Sequence, residues 1–283
     1  MRRLTAALRR YPHTEALLDG PSLDVADVDP IHEAFAPMVR DLRYDVSELA
    51  VATLLQAVEA EVPIAALPVV LLGNFPHRAL YVQGEENRIE PAELKGRRVG
   101  VRAYSQTTGL WVRGILADTY GVSSRDITWV TTEGAHVATA RDPANVERTS
   151  GNLVDELRAG DLASVVLGAP FAAKVDGLVP LIGDWEAQQE KFHAEHGWVP
   201  ANHFVVVRRE LLRSEPDLIR SLYSGLTSGI DGNPGRAARY GLNPGVLDML
   251  RTAIRYAREQ EVIRRDLDPA EIFADFEKYV GQQ

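Results

Sequence analysis

A chain of 283 residues, 45% hydrophobic and 25% charged, is long enough for two lobes that each bury a core. Its 31 basic and 40 acidic side chains leave a formal net charge of −9, which excludes a net basic footprint for nucleic acid or an anionic membrane surface. With no cysteine, disulfides, thiol nucleophiles and cysteine-held metal or iron–sulfur centres are excluded as well.

Met1-Arg2-Arg3 is basic enough to open a secretory signal, but the apolar run Leu4–Leu8 stops at Arg9-Arg10, too short for one. No run is long enough to span a bilayer, so a cytoplasmic location is expected, with no membrane and no nucleic-acid partner. Short apolar runs then alternate with amphipathic stretches, the α/β pattern. Strands are expected at Leu4–Leu8, Arg43–Val46, Ala66–Leu72 and His77–Val82, with helices at Thr14–Leu18 and Ile31–Arg40. Ser47 sits where an N-cap belongs, before Leu49, Ala52, Leu55 and Val58 at helical spacing. A turn at Pro91–Gly96 leads to a strand at Arg98–Arg102 and a helix at Thr107–Tyr120. The strand Ile127–Thr131, the helix Leu153–Ala159 closed by Gly160, and the strand Ser164–Leu167 follow. Phe204–Val207 is the last strong strand, and Pro216–Gly225, Pro244–Glu259 and Pro269–Val280 are helices opened by proline. Glu133–Gly151 reads as a long loop, either a solvated connector or a flap at the mouth of a site.

Strand–helix units that cross once near Val82 and return near Phe204 predict two lobes facing a cleft. The first lobe would hold residues 1–83 and 204–283, the second 84–203. Ligands of open α/β sheets bind beyond the carboxyl ends of the strands, here between the lobes.

Several segments carry a family resemblance. Tyr11-Pro12-His13-Thr14, Tyr44-Asp45-Val46-Ser47-Glu48, Phe75–Val82 and Leu94–Val101 occur in this order, followed by Trp111-Val112-Arg113-Gly114, Leu157–Ala163 and Asn202–Arg209. Together, over roughly residues 4–225, they resemble the 4,5-dihydroxyphthalate decarboxylase family, which is similar in fold to type-2 periplasmic binding proteins. The resemblance implies a two-lobed α/β binding-protein fold and loss of carbon dioxide from a small, hydroxylated, anionic aromatic acid. The stretch Ser164–Pro170 is more apolar than the resemblance leads one to expect, and Ser105–Thr108 is not a strict copy.

His77 and His203 begin the two crossing strands and would border the cleft floor, where imidazoles suit proton transfer; each is also readable as a strand-end histidine bonded to backbone. Glu48 reads locally as a first-turn carboxylate favoured by the helix dipole, and with the resemblance as a cleft carboxylate that orients His77 or His203 or supplies the proton. Tyr104, Ser105, Gln106, Thr107 and Thr108 lie between strand and helix, a cradle for carboxylate or phosphate, with Arg113 within reach. Arg9, Arg10, Tyr11, His13 and Thr14 follow the first strand and would form a basic rim for an acidic small molecule. His136 and Arg141 of the long loop are placed to close over a ligand, while His193, His196, Arg208 and Arg209 read as solvated or surface-paired. His77, His203 and Glu48 would suit a metal if they converged, but no local ligand spacing demands one, so no metal and no cofactor are expected. A homodimer is compatible with the chain. The rival readings are a non-catalytic binder of a small anion serving a transporter or sensor, and a biosynthetic enzyme on the same scaffold with another substrate.

Overall fold

The computed structural model describes residues 2–281. Met1 of the basic opening, and residues 1, 282 and 283 of the expected first lobe, lie outside the described residues. The chain opens with β1 (Leu4–Ala7), α1 (Glu15–Leu18), β2 (Leu23–Val25), α2 (Phe35–Asp41), β3 (Val46–Ala50), α3 (Val51–Glu59) and β4 (Ile64–Gly73). A 3-10 turn at Pro76–Arg78 leads to β5 (Leu80–Gln83), β6 (Arg98–Val101), α4 (Thr107–Tyr120), β7 (Thr128–Thr131) and β8 (Val146–Arg148). Then come α5 (Leu153–Ala159), β9 (Ser164–Val166), α6 (Ala169–Ala172), β10 (Leu178–Pro180) and α7 (Trp185–His196). The return strand β11 (Ala201–Arg208) precedes α8 (Arg209–Ser214), α9 (Pro216–Gly232), β12 (Arg239–Tyr240), α10 (Pro244–Glu259) and α11 (Pro269–Tyr279).

Two six-stranded sheets result, ordered β12-β4-β11-β3-β1-β2 and β10-β5-β9-β6-β7-β8. In the first, β1 is parallel to β2 and β3, and the returning β11 runs antiparallel between β3 and β4. In the second, β6, β7, β8 and β9 are parallel, with the entering β5 antiparallel to β9. The two-lobed α/β expectation is borne out. Because β5 belongs to the second sheet, the outgoing passage falls between Gly73 and Leu80, earlier than the expected boundary after residue 83.

β4 is an apolar run whose first eight residues are buried, as a strand covered on both faces requires. Pro68 has no N–H to give to the ladder, and the β11 register skips from Val70 to Leu67 around it. Ser47 is not an N-cap. Val46–Ala50 is a fully buried strand, helix α3 starts at Val51, and the Ser47 hydroxyl donates to the Glu48 carbonyl. The helical spacing of Leu49 with Ala52 misled, because a strand wedged between β1 and β11 and covered on both faces buries every one of its residues, Leu49 included. Likewise the expected strand at His77 begins only at Leu80, after the proline-led turn. The long loop Glu133–Gly151 holds the short strand β8, and elsewhere is irregular.

Helix α10 ties the lobes together by packing on both α3 and α4. The contact depends on Gly114: a Cβ there would sit 2.1 Å from the Tyr256 ring, while the Tyr256 hydroxyl donates to Asp118 at 2.6 Å. No helix among the described residues is long and apolar enough to cross a membrane.

Candidate active site

A cavity of about 580 Å³ lies between the sheets, lined from the first by Arg9, His32, Phe35, Asn202 and His203, and from the second by Arg102, Ser105–Thr108 and His136. Register explains its centre. In the β3–β11 ladder His203 faces Ala50 and Glu48 faces Val205, so Glu48 and His203 are diagonal neighbours on one face of the sheet. Their side chains meet: His203 Nδ1 donates to Glu48 Oε2 at 2.9 Å. Glu48 is wholly buried, and its other partners are the Tyr11 hydroxyl, donating to Oε2 at 3.2 Å, and the Arg9 backbone N–H, donating to Oε1 at 3.1 Å. No Lys or Arg pairs with this carboxylate among the described residues. Burial, and then Glu48, raise the Tyr11 hydroxyl above the ordinary range, so it remains a donor. With Nδ1 committed, His203 is left with Nε2 unpartnered on a side chain that is 13% exposed at the cavity.

A second imidazole faces the same space. His136 comes from the long loop of the second lobe, and its Nδ1 is 2.9 Å from Thr53 Oγ1 of α3. Arg40 holds the loop in place, its guanidinium donating to the carbonyls of His136 at 2.6 Å and Ala135 at 3.0 Å. Burial, reinforced by Arg102, His32 and Arg40, pushes His136 down to about 4, so it is neutral at pH 7. Phe35 stands edge-on to both rings, its centroid 5.7 Å from His136 and 5.1 Å from His203. His32 is also lowered, by burial and then by Arg102.

The rim is cationic and the walls hold unsatisfied acceptors. Arg9 is exposed, lies 5.4 Å from the Tyr11 ring, and has no carboxylate partner among the described residues. Arg102 projects from the carboxyl end of β6 and is paired with Glu133. The backbone N–H groups opening α4 have no side-chain cap, since Gln106 contributes none and Thr107 Oγ1 instead accepts from Ala52 N–H of α3 across the cleft at 3.1 Å. Ser105 Oγ, Gln106 Oε1 and Asn202 Oδ1 are buried without a protein partner. Phe171, 54% exposed, overhangs the mouth.

Of the residues singled out from sequence, Glu48, His203, Tyr11 and Arg9 come together, and Ser105, Gln106, Thr107 and Thr108 face them. Four do not join. His77 is buried in an aromatic cluster, 5.5 Å from Phe192 and 6.4 Å from Phe75 between centroids, and is absent from the cavity lining. It begins no strand, because the proline turn before β5 points it away from β11. Thr14 folds back locally, its hydroxyl donating to the Arg9 carbonyl at 2.8 Å. Arg113 is fully buried behind the first turn of α4, donating to the Tyr104 carbonyl and Gln260 Oε1, both at 2.7 Å. Tyr104 stacks on that guanidinium and donates to the Gln260 carbonyl at 2.8 Å. Arg10 pairs with Asp19, Arg141 caps carbonyls of its own loop, and Arg209 pairs with Asp275. Among the described residues no group of three metal-ligating side chains assembles, and the His77–His203–Glu48 set does not converge. His32, Phe35, Arg102 and Asn202 escaped the sequence reading. Arg102 was findable by the rule that gave Arg9, as the residue following a parallel strand.

Two sheets facing a polar cavity across paired crossings define a protein of the two-lobed, type-2 periplasmic-binding-protein class. Solved structures agree on the fold. The alkanesulfonate-binding protein SsuA from Xanthomonas axonopodis pv. citri superposes with a TM-score of 0.61 at 14% identity, covering 92% of this chain and 90% of that one. The Escherichia coli aliphatic sulphonate binding protein SsuA gives 0.59 at 14% identity, covering 96% and 94%, and the desulfurization enzyme DSZB gives 0.54 at 15%, covering 98% and 99%. No family model matches the chain. Curated relatives do: the 4,5-dihydroxyphthalate decarboxylase of Comamonas testosteroni is 32% identical over 238 residues, 75% of this chain and 70% of that protein. The protein of the same name from Pseudomonas putida is 31% identical over 145 residues, 49% of this chain and 55% of the relative. The chain belongs to the 4,5-dihydroxyphthalate decarboxylase family, a family of carboxy-lyases.

Proposed function

We propose that the chain decarboxylates a one-ring aromatic dicarboxylate bearing hydroxyl groups, with 4,5-dihydroxyphthalate the first compound to test. The observation that carries this reading is the buried Glu48–His203 pair with the free imidazole nitrogen at the cavity. Loss of carbon dioxide from such a ring needs a proton on the carboxyl-bearing carbon. His203 Nε2 delivers it, the carbon–carboxylate bond breaks as its electron pair restores the aromatic ring, and carbon dioxide leaves. His203 then regains its proton from water. A hydroxyl para to the reacting carbon feeds electrons into the ring during protonation. His136, neutral and with Nδ1–H given to Thr53 Oγ1, accepts that hydroxyl's hydrogen at Nε2. Gln106 Oε1 and Asn202 Oδ1 are acceptors for the neighbouring hydroxyl. Arg9, Arg102 and the N–H groups opening α4 hold carboxylate. The two histidines thus divide acid and acceptor roles by environment.

The test is carbon dioxide release and loss of substrate absorbance with purified protein, repeated for His203→Gln and His136→Gln. Both variants should retain substrate binding and lose turnover by about 10²-fold or more. A wild-type protein that binds the dihydroxyphthalate without consuming it would replace this reading with a binding protein. Inertness toward it, with turnover of another acid, would assign a different enzyme on the same scaffold.

A further inference from the structure

A second chamber of about 330 Å³ shares Thr108, Leu167 and Gly168 with the lining of the catalytic cavity. Its remaining walls come chiefly from the two passages between the lobes, from α7 and from the turn between α9 and β12, and include Phe75, Arg78, Trp185, Val199, Arg236 and Ala237. No carboxylate lines it. Arg236 is neutralised by Glu190, at 3.2 and 3.1 Å, and its guanidinium lies 5.4 Å from the Phe75 ring. Arg78 differs. It is half-buried, lies 5.4 Å from the Trp185 ring, and has neither a carboxylate nor a carbonyl partner among the described residues. Outside the lining, Arg239 donates to the carbonyls of Ala237 at 3.1 Å and Val199 at 2.8 Å and has no carboxylate partner among the described residues. Cations in excess over carboxylates, in a chain of net charge −9, make a local anion-attracting field.

The chemistry of the lining narrows the ligand. An inorganic anion would meet Arg78 but leave two aromatic faces uncovered, and a purely apolar molecule would bury a half-desolvated guanidinium without a counter-charge. The volume is at the lower end for small-molecule sites, enough for one ring. From this geometry we infer that the chamber is a second binding site, for a one-ring aromatic monocarboxylate whose carboxylate sits on Arg78 and whose ring lies against Trp185 and Phe75. The site does not rest on the decarboxylase reading, since none of these three residues lines the catalytic cavity.

Fluorine NMR titration with 4-fluorobenzoate, on the full chain, tests it. Saturable binding is expected in wild type and in His203→Gln and Arg9→Gln. Arg78→Gln should weaken it about tenfold or more, the worth of a charge-assisted hydrogen bond, and Arg78→Lys should restore part of the loss. Quenching of tryptophan fluorescence by benzoate should disappear in Trp185→Phe. Competition with benzoate should succeed and with inorganic phosphate fail. Absence of saturable binding, a probe lost in Arg9→Gln but retained in Arg78→Gln, or equal displacement by phosphate would each overturn the inference. Thermal melts of each variant separate loss of the site from loss of the fold, and His203→Gln separates failure here from failure of the catalytic reading.

Discussion

Replacing Glu48 by Gln changes charge at nearly constant shape, in a place where the structure sets the consequences. The carboxylate is wholly buried, 2.9 Å from His203 Nδ1, and among the described residues no Lys or Arg side chain pairs with it. Two opposite charges about 4 Å apart at an effective dielectric of about 20 attract by roughly 4 kcal/mol. An amide keeps a dipole beside the ring but not the charge, so about 2–3 kcal/mol of that attraction should go. If His203 is the proton donor, kcat falls by about 30- to 150-fold. Stability should barely change, because Gln still accepts from the Arg9 N–H and no longer requires a buried anion. A shift in Tm below about 4 °C corresponds to no more than roughly 1 kcal/mol in a chain of this size. The assay is single-turnover carbon dioxide release beside an equilibrium binding measurement, with Glu48→Asp as the charge-retaining control. Full turnover in a folded Glu48→Gln protein would refute the dyad. So would a loss of turnover that only follows a loss of fold.

Two further outcomes are expected. His77 is buried and is pushed down to about 4 by burial, against an ordinary value of 6.5, so the unfolded chain takes up its proton first as pH falls. Stability is therefore intact above about pH 6.5 and declines toward pH 4, by roughly 3 kcal/mol from this residue. Urea denaturation at pH 7 and pH 4.5 should show a shallower acid loss in His77→Leu than in wild type; equal losses would contradict the assignment. Arg9→Gln and Arg102→Gln should each raise KM for a dicarboxylate about tenfold with kcat little altered, as expected for groups that bind ground and transition states alike. An unchanged KM would remove these arginines from the carboxylate site.

Local signals in the sequence determined a good deal. Alternating apolar and amphipathic runs, prolines opening helices and glycines closing them specify the α/β order, because helix and strand periods are written in neighbouring residues. The rule that ligands sit past strand ends located Arg9 and the Ser105–Thr108 turn without any knowledge of contacts. The pairing of Glu48 with His203 was not legible in that way. It joins residues 155 positions apart, and depends on an antiparallel register that places them diagonally on one face. The local pattern even argued against it, since Ser47-Glu48 looks like a helix start until β1 and β11 claim the segment as a buried strand.

The same limit explains why His77 was misplaced and why the contacts that seat His136 were not foreseen. His77 and His203 look equivalent as residues near crossings, yet a proline turn directs one into an aromatic cluster while the ladder directs the other into the cavity. His136 enters only because Arg40 of the opposite lobe holds its loop by two carbonyls. Length allowed two lobes, the order of strands and helices made them face a cleft, and the absence of cysteine removed thiol chemistry from it. Which imidazole meets which carboxylate was decided by tertiary structure alone, because strand register and loop anchoring are contacts between distant residues and leave no periodic trace in the chain.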